Sequence, residues 1–142
     1  METVKGKSIT VETTIKAPIE KIWSYWSEPR HIIQWYFATD GWHAPYAEND
    51  LKVKGKFKTK MASKDGSSGF DFEGVYTRVI LHKAIEYTLA DGRKVAISFS
   101  DQGTDIKVVE SFDAENENPY EMQKEGWQAI LNNFKKYSES KF

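Results

Sequence analysis

The 142-residue chain contains no cysteine. This excludes disulfides, thiolate nucleophiles and zinc–thiolate sites, and it leaves the redox compartment open. An excess of charge of either sign is also missing, because 20 Lys and Arg stand against 21 Asp and Glu, for a formal net charge of −1. A chain so balanced has no global field to draw it onto nucleic acid or an anionic membrane, and neither partner is expected. No run approaches the roughly 18 apolar residues of a membrane span, and the opening METVKGKSITVETTIKAP lacks an apolar stretch of signal-peptide length. The expectation is a cytoplasmic, soluble protein without membrane insertion. Histidine is sparse too: His31, His43 and His82 stand apart without ligand spacing, so no metal site and no cofactor is expected, and His43 reads as a hydrogen-bonded loop residue. With no Gly-x-Ser-x-Gly elbow and no phosphate-cradling glycine loop, hydrolytic and nucleotide-dependent chemistry are unsupported.

What the chain has is a clear order of periodicities, at a length that fits one domain, residues 1–142. From Ser8 to Lys16, Ile9, Val11, Thr13 and Ile15 alternate with Thr10, Glu12, Thr14 and Lys16, which predicts a half-buried strand. Pro18 marks a helix start, and Ile19, Ile22, Trp23 and Trp26 follow at i, i+3, i+4 and i+7. Pro29 ends this helix and opens a second short one. Gly41 to Asn49, with Pro45, reads as a loop.

Leu51, Val53, Gly55, Phe57, Thr59 and Met61 alternate with Lys52, Lys54, Lys56, Lys58 and Lys60, which predicts one strand with an apolar face and a face of five lysines. After a hairpin loop at Asp65-Gly66, Asp71 and Glu73 can stand opposite those lysines. Gly74 is the expected site of a bulge or bend. Further strands span Ala84 to Leu89, Lys94 to Phe99 and Thr104 to Phe112, all with connections too short for parallel crossovers. The last element opens at Asn118-Pro119-Tyr120-Glu121, read as N-cap, N1 and N3, and runs to about Ser138, roughly 30 Å. Tyr120, Gln123, Trp127, Ile130, Leu131 and Phe134 share one side of it. The fold class is therefore α+β: a curved antiparallel sheet of six or seven strands wrapped around a long C-terminal helix, with two short helices after the first strand.

Several stretches carry a family resemblance. They include Ala17-Pro18 with Ile22-Trp23 and Trp26, Trp42-His43-Ala44-Pro45, Glu48-Asn49-Asp50-Leu51 through Gly55-Lys56-Phe57, Lys64-Asp65-Gly66, Gly69-Phe70-Asp71-Phe72, and Gly126-Trp127. The chain resembles the START-like (SRPBCC) superfamily, and within it the branch similar to the activator of the heat-shock protein 90 ATPase. The resemblance implies a helix-grip fold with a cavity between helix and sheet. Relatives include lipid and hormone carriers, polyketide cyclases and co-chaperone domains, and the superfamily has no common catalytic motif to transfer.

Three polar residues fall on faces that alternation calls inward: Glu110 with Ile106, Val108 and Phe112, Arg78 with Tyr76 and Ile80, and Gln123 on the helix. A buried charge is costly unless paired, so these three are candidate polar contacts for a ligand, with Trp23, Tyr76, Phe99, Trp127 and Phe134 as its walls. The competing reading is that a bulge turns one of the polar residues outward and that the aromatics are ordinary core. The functional expectation is a binding protein for an apolar or amphipathic small molecule. The alternatives are a co-chaperone-like module that meets a protein partner, with the lysine strand as its surface or merely as a solvated face, and a cyclase- or lyase-like enzyme with Glu110 as general base.

Overall fold

Alternating and helical spacings become elements over residues 8–141, which the computed structural model describes. They are β1 (Ser8–Ile15), α1 (Ile19–Ser27), α2 (Pro29–Ile32), β2 (Trp42–Asn49), β3 (Lys56–Ser63), β4 (Gly69–Ile80), β5 (Ala84–Leu89), β6 (Lys94–Asp101), β7 (Ile106–Asp113) and α3 (Tyr120–Lys141). All seven strands join one antiparallel sheet in the order β1-β7-β6-β5-β4-β3-β2. Strands β2 to β7 form a meander, and β1 pairs with β7 at the far edge. The α1–α2 segment therefore carries the chain from one edge of the sheet to the other. The sheet curls, and α3 lies across it against β1 and α1. This is the expected α+β helix-grip architecture.

The inner face of the sheet is the apolar half of each alternation: Ile9, Val11 and Ile15 from β1, Ile85 and Tyr87 from β5, Val95, Ile97 and Phe99 from β6, and Ile106, Val108 and Phe112 from β7 are all buried. Helix α1 adds Ile22, Trp23 and Trp26, and α3 adds Leu131 and Phe134. Trp35, just after α2, is buried and donates its indole N–H to the Tyr25 carbonyl at 3.0 Å, so its one polar atom is satisfied inside the core.

Four local expectations are corrected. Trp42–Asn49 is a strand, not a loop. It is an edge strand with a register shift between His43 and Tyr46, which is where a sheet can hold Pro45, a residue without an N–H to donate. His43 is accordingly a half-buried strand residue.

The lysine strand is shorter than its alternation suggests. β3 begins at Lys56, so Lys52 and Lys54 lie in a turn and Val53 is 53% exposed. Lys54 adopts φ 71°, its N–H donates to the Tyr76 carbonyl at 2.8 Å, and the Tyr76 N–H donates to the Gly55 carbonyl at 2.9 Å. Those two bonds pin the turn to β4 and end the period-two run. Lys58 pairs with Glu73 and Lys60 with Asp71 in the β3–β4 register, as the charge pattern anticipates.

The bulge is not at Gly74. It lies between Tyr76 and Arg78, with Thr77 as the extra residue, because Tyr76 pairs with Tyr87 while Arg78 pairs with Glu86. Gly74 serves close packing instead: a Cβ there would stand 2.5 Å from the Thr88 carbonyl oxygen and 3.0 Å from the Phe57 ring.

Finally, α3 starts at Tyr120, so Asn118 is not its N-cap. Gln123 instead ties the preceding segment to the helix: its Nε2 donates to the carbonyls of Asn118 at 2.8 Å and Glu115 at 3.1 Å, and its Oε1 accepts the Glu115 N–H at 2.9 Å.

The glycines separate packing from propensity. Gly74→Ala is expected to destabilise the fold by about 2 kcal/mol or more through that clash. Gly126 lies inside α3 with nothing within 4 Å of where a Cβ would stand, so Gly126→Ala is expected to stabilise by roughly 0.5–1 kcal/mol. Urea unfolding of the two variants beside the parent chain measures both signs.

Candidate functional site

Helix α3 does not press evenly on the sheet. Its C-terminal half is clamped: Phe134 sits 4.9 Å from the Trp26 ring and 4.7 Å from Trp35, and the Tyr137 hydroxyl lies 2.6 Å from Nδ1 of His31. Its N-terminal half is held at the start by Gln123 and on the sheet by Trp127, which stacks on Phe112 at 3.7 Å with planes 11° apart. Between these anchors the helix stands off, leaving a cavity of about 610 Å³. Gln123, Gly126, Trp127, Ile130 and Leu131 line it from α3, Met61, Phe70 and Phe72 from β3 and β4, and Trp26, Tyr36 and Trp42 from the far side. The exposed Phe70, Met122 and Glu117 mark its mouth.

Glu110 of β7 also lines the cavity, and it is only 4% exposed. Strand alternation keeps it on the inner face between Val108 and Phe112, opposite Val11 and Ile97. Burial pushes its pKa up to about 8, and among the described residues neither a cation nor a hydrogen bond offsets that cost. The hydroxyls of Tyr36 and Tyr87 lie near it. Desolvation, with the Glu110 charge adding to it, raises both phenols above their ordinary range. Near neutrality the cavity thus holds a protonated carboxyl beside the neutral phenol of Tyr36 in an aromatic wall, and Tyr87 lies outside its lining.

Of the eight residues singled out from the sequence, the cavity brings three together: Glu110, Gln123 and Trp127. Gln123 spends its donors and one acceptor on the segment before α3. Trp23, Phe99 and Phe134 sit deeper, in an aromatic cluster around Trp26, with Phe99 5.4 Å from Trp23 and 5.8 Å from Trp26. Tyr76 occupies a separate small chamber beside Phe57 and Tyr87 and donates its hydroxyl to Asn49, whose Nδ2 in turn donates to the Ser27 carbonyl at 2.6 Å.

Arg78 does not face inward. The extra residue Thr77 reverses the alternation, leaving the Arg78 side chain 58% exposed beside Glu86 at 3.7 Å, so it does not meet Glu110. Tyr36, Trp42, Phe70 and Phe72 are wall residues that the sequence pattern does not single out. Trp42 is hidden by the irregular period of β2, and the others could have been found only from the inward alternation of β4 and the bulk clustered after Pro29. Among the described residues, no group of histidines and carboxylates is placed to hold a metal ion.

The buried carboxyl makes stability depend on pH. A carboxyl with a raised folded-state pKa binds more protons folded than unfolded between its two pKa values. Stability therefore falls as pH climbs from the ordinary carboxylate range through about 8. Urea unfolding at pH 6 and pH 9 is expected to show Glu110→Gln gaining on the parent chain by on the order of 1–3 kcal/mol between the two. Parallel profiles would mean that Glu110 is already hydrated.

The fold has counterparts among known proteins. The family described as activator of Hsp90 ATPase homolog 1-like protein matches residues 16–139. A solution structure of an AHSA1-like protein from Aeromonas hydrophila is 40% identical with a TM-score of 0.89, the match covering 94% of this chain and 93% of that one. A solution structure from Cytophaga hutchinsonii is 56% identical with a TM-score of 0.82, covering 96% and 94%. A crystal structure from Chromobacterium violaceum shares the fold at 19% identity, with a TM-score of 0.84 and coverage of 94% and 98%. No curated protein matches the chain. Among the described residues no helix is long and apolar enough to cross a membrane. A match over most of the chain, together with two solved relatives above 30% identity, places this chain in the activator of Hsp90 ATPase homolog 1-like family, on a START-type fold.

Proposed function

We propose that the protein binds an apolar or amphipathic small molecule in the cavity between α3 and the sheet. The observation that carries this reading is the combination of about 610 Å³ of space, within the usual range for small-molecule sites, with an aromatic wall and one buried carboxyl whose hydrogen-bonding capacity is unspent. A filled core would have closed over such a group or paired it. In this reading Trp127 and Glu110 are the contacts kept from the sequence, Trp26, Tyr36 and Phe72 join them as walls, and Trp23, Phe99 and Phe134 support those walls from behind. The protein works in the cytoplasm on ligands taken up from solution.

Two alternatives are weaker on the same observations. The family description favours a protein partner, but Lys58 and Lys60 of β3 stand opposite Glu73 and Asp71 across the ladder, which offsets part of that surface's charge. A lyase- or cyclase-like role for Glu110 as general base fits its burial, which pushes the carboxyl up to about 8, but no further observation of the site points to a reacting substrate.

Nile red, a neutral apolar dye, is expected to bind with a blue-shifted emission. Gly126→Phe, which projects a ring into the cavity from an unobstructed helix position, is expected to abolish that binding while leaving the far-UV circular dichroism unchanged. Native mass spectrometry of protein purified from its own host is expected to show a retained small molecule. A bare mass together with dye binding indifferent to Gly126→Phe would overturn the reading. Charge reversal of Lys56, Lys58 and Lys60 is expected to leave Nile red binding intact, and a partner lost in pull-down with those variants would instead support the co-chaperone-like alternative.

A further inference from the structure

The charge inside and around the cavity is one-sided. Its lining includes the carboxyls of Glu110, Glu115 and Glu117 and a single guanidinium, Arg93. Arg93 gives its Nε to Asp91 Oδ2 at 2.8 Å, which places a fourth carboxylate against the one guanidinium. Glu115 accepts the Asn118 N–H at 2.7 Å near the mouth, and Glu117 is exposed there. Glu110 alone is deep, 4% exposed and without a protein partner among the described residues. The surrounding wall is aromatic, with Trp26, Tyr36, Trp42, Phe72 and Trp127 bordering the same space.

A carboxyl of this kind admits few polar partners. An anionic head group would meet the carboxyls of Glu115 and Glu117 at the mouth, and among the described residues the one cation in the lining, Arg93, is drawn to Asp91 through its Nε. A protonated amine would find a counter-ion in Glu110, and aromatic faces attract cations through their quadrupoles. A neutral alcohol would gain a hydrogen bond without the charge term. We propose that the cavity is selective for cationic amphiphiles, compounds with a protonated amine on an aromatic or aliphatic body, and that Glu110 is the group that receives the ammonium. This deepens the container reading and rests on it.

The binding step has a proton balance. Near neutrality the free protein holds Glu110 largely as the neutral acid, and an incoming ammonium stabilises the carboxylate, so the carboxyl proton leaves to buffer while the amine keeps its own. Tyr36 borders the same space and Tyr87 lies beside it; both phenols stay neutral, so they do not contribute to that proton count.

The test is isothermal titration at pH 7 with three probes on one body: 1-naphthylmethylamine, 1-naphthalenemethanol and 1-naphthoate. The amine is expected to bind at least about tenfold more tightly than the alcohol, and the naphthoate most weakly. Repeating the amine titration in buffers of different ionisation enthalpy is expected to give close to one proton released per amine bound, with none for the alcohol. In Glu110→Gln the preference for the amine over the alcohol and the proton release are both expected to vanish. Should that variant fail to fold, the rank order and proton count of the parent chain decide the matter alone. Tightest binding by the naphthoate or the alcohol, or an amine preference that survives Glu110→Gln, would overturn the cation selectivity and leave the container intact. If none of the three binds and Nile red does not bind either, the container itself fails, and this inference with it.

Discussion

The structure depends on how α3 is held. Phe134, packed against both Trp26 and Trp35, anchors the C-terminal half of the helix to the α1–α2 segment, and that segment spans the sheet from its β1 edge to its β2 edge. Trp127 stacked on Phe112, and Gln123 bonded to residues 115 and 118, anchor the other half. A rigid helix resting on separated supports cannot follow a curled surface between them. The cavity is the space left over, and it lies where Gly126 withholds a side chain.

Glu110 gives that space its chemistry. Burying an unpaired carboxyl costs free energy, and the fold meets the cost by keeping the group protonated near neutrality rather than by supplying a cation. The nearest cation by sequence pattern, Arg78, is turned to the outer surface by a single extra residue in β4. The same bulge lies where the turn at Lys54 and Gly55 bonds to Tyr76, so the pinned turn and the outward arginine occupy one short stretch of β4. The polar end of the cavity is therefore acidic and unbalanced, which is the feature that distinguishes its possible occupants.

Family membership narrows the fold far more than the function. A START-type sheet and helix can carry a ligand, present a surface to a protein or host a reaction, and what separates these uses is the content of the cavity and the charge of the outer face. Here Lys58 and Lys60 on the outer face have carboxylates opposite them while the inner carboxyl has no partner among the described residues. Unspent polar capacity lies inside, which is why the inner site carries the functional reading.

Alternation in β1, β5, β6 and β7 and helical spacing in α1 and α3 are local properties of the chain, so the sequence alone determined those elements, their inward faces and the α+β class, while the inward placement of Glu110 stayed open to a bulge that the unshifted pairing of β7 with β1 and β6 excludes. Strand β2 escaped because an edge strand with a bulge at Pro45 has no regular period. The start of β3 escaped because hydrogen bonds to Tyr76, which no local pattern encodes, end the run of alternating lysines. Tertiary structure alone decided that Arg78 faces solvent, since one inserted residue reverses every face beyond it and only the pairing with β5 shows where it sits. It also decided which aromatics are wall and which are core: Trp127 and Phe134 share one helical face, yet only Trp127 borders the cavity, because the supports of α3 lie at particular distances along its length.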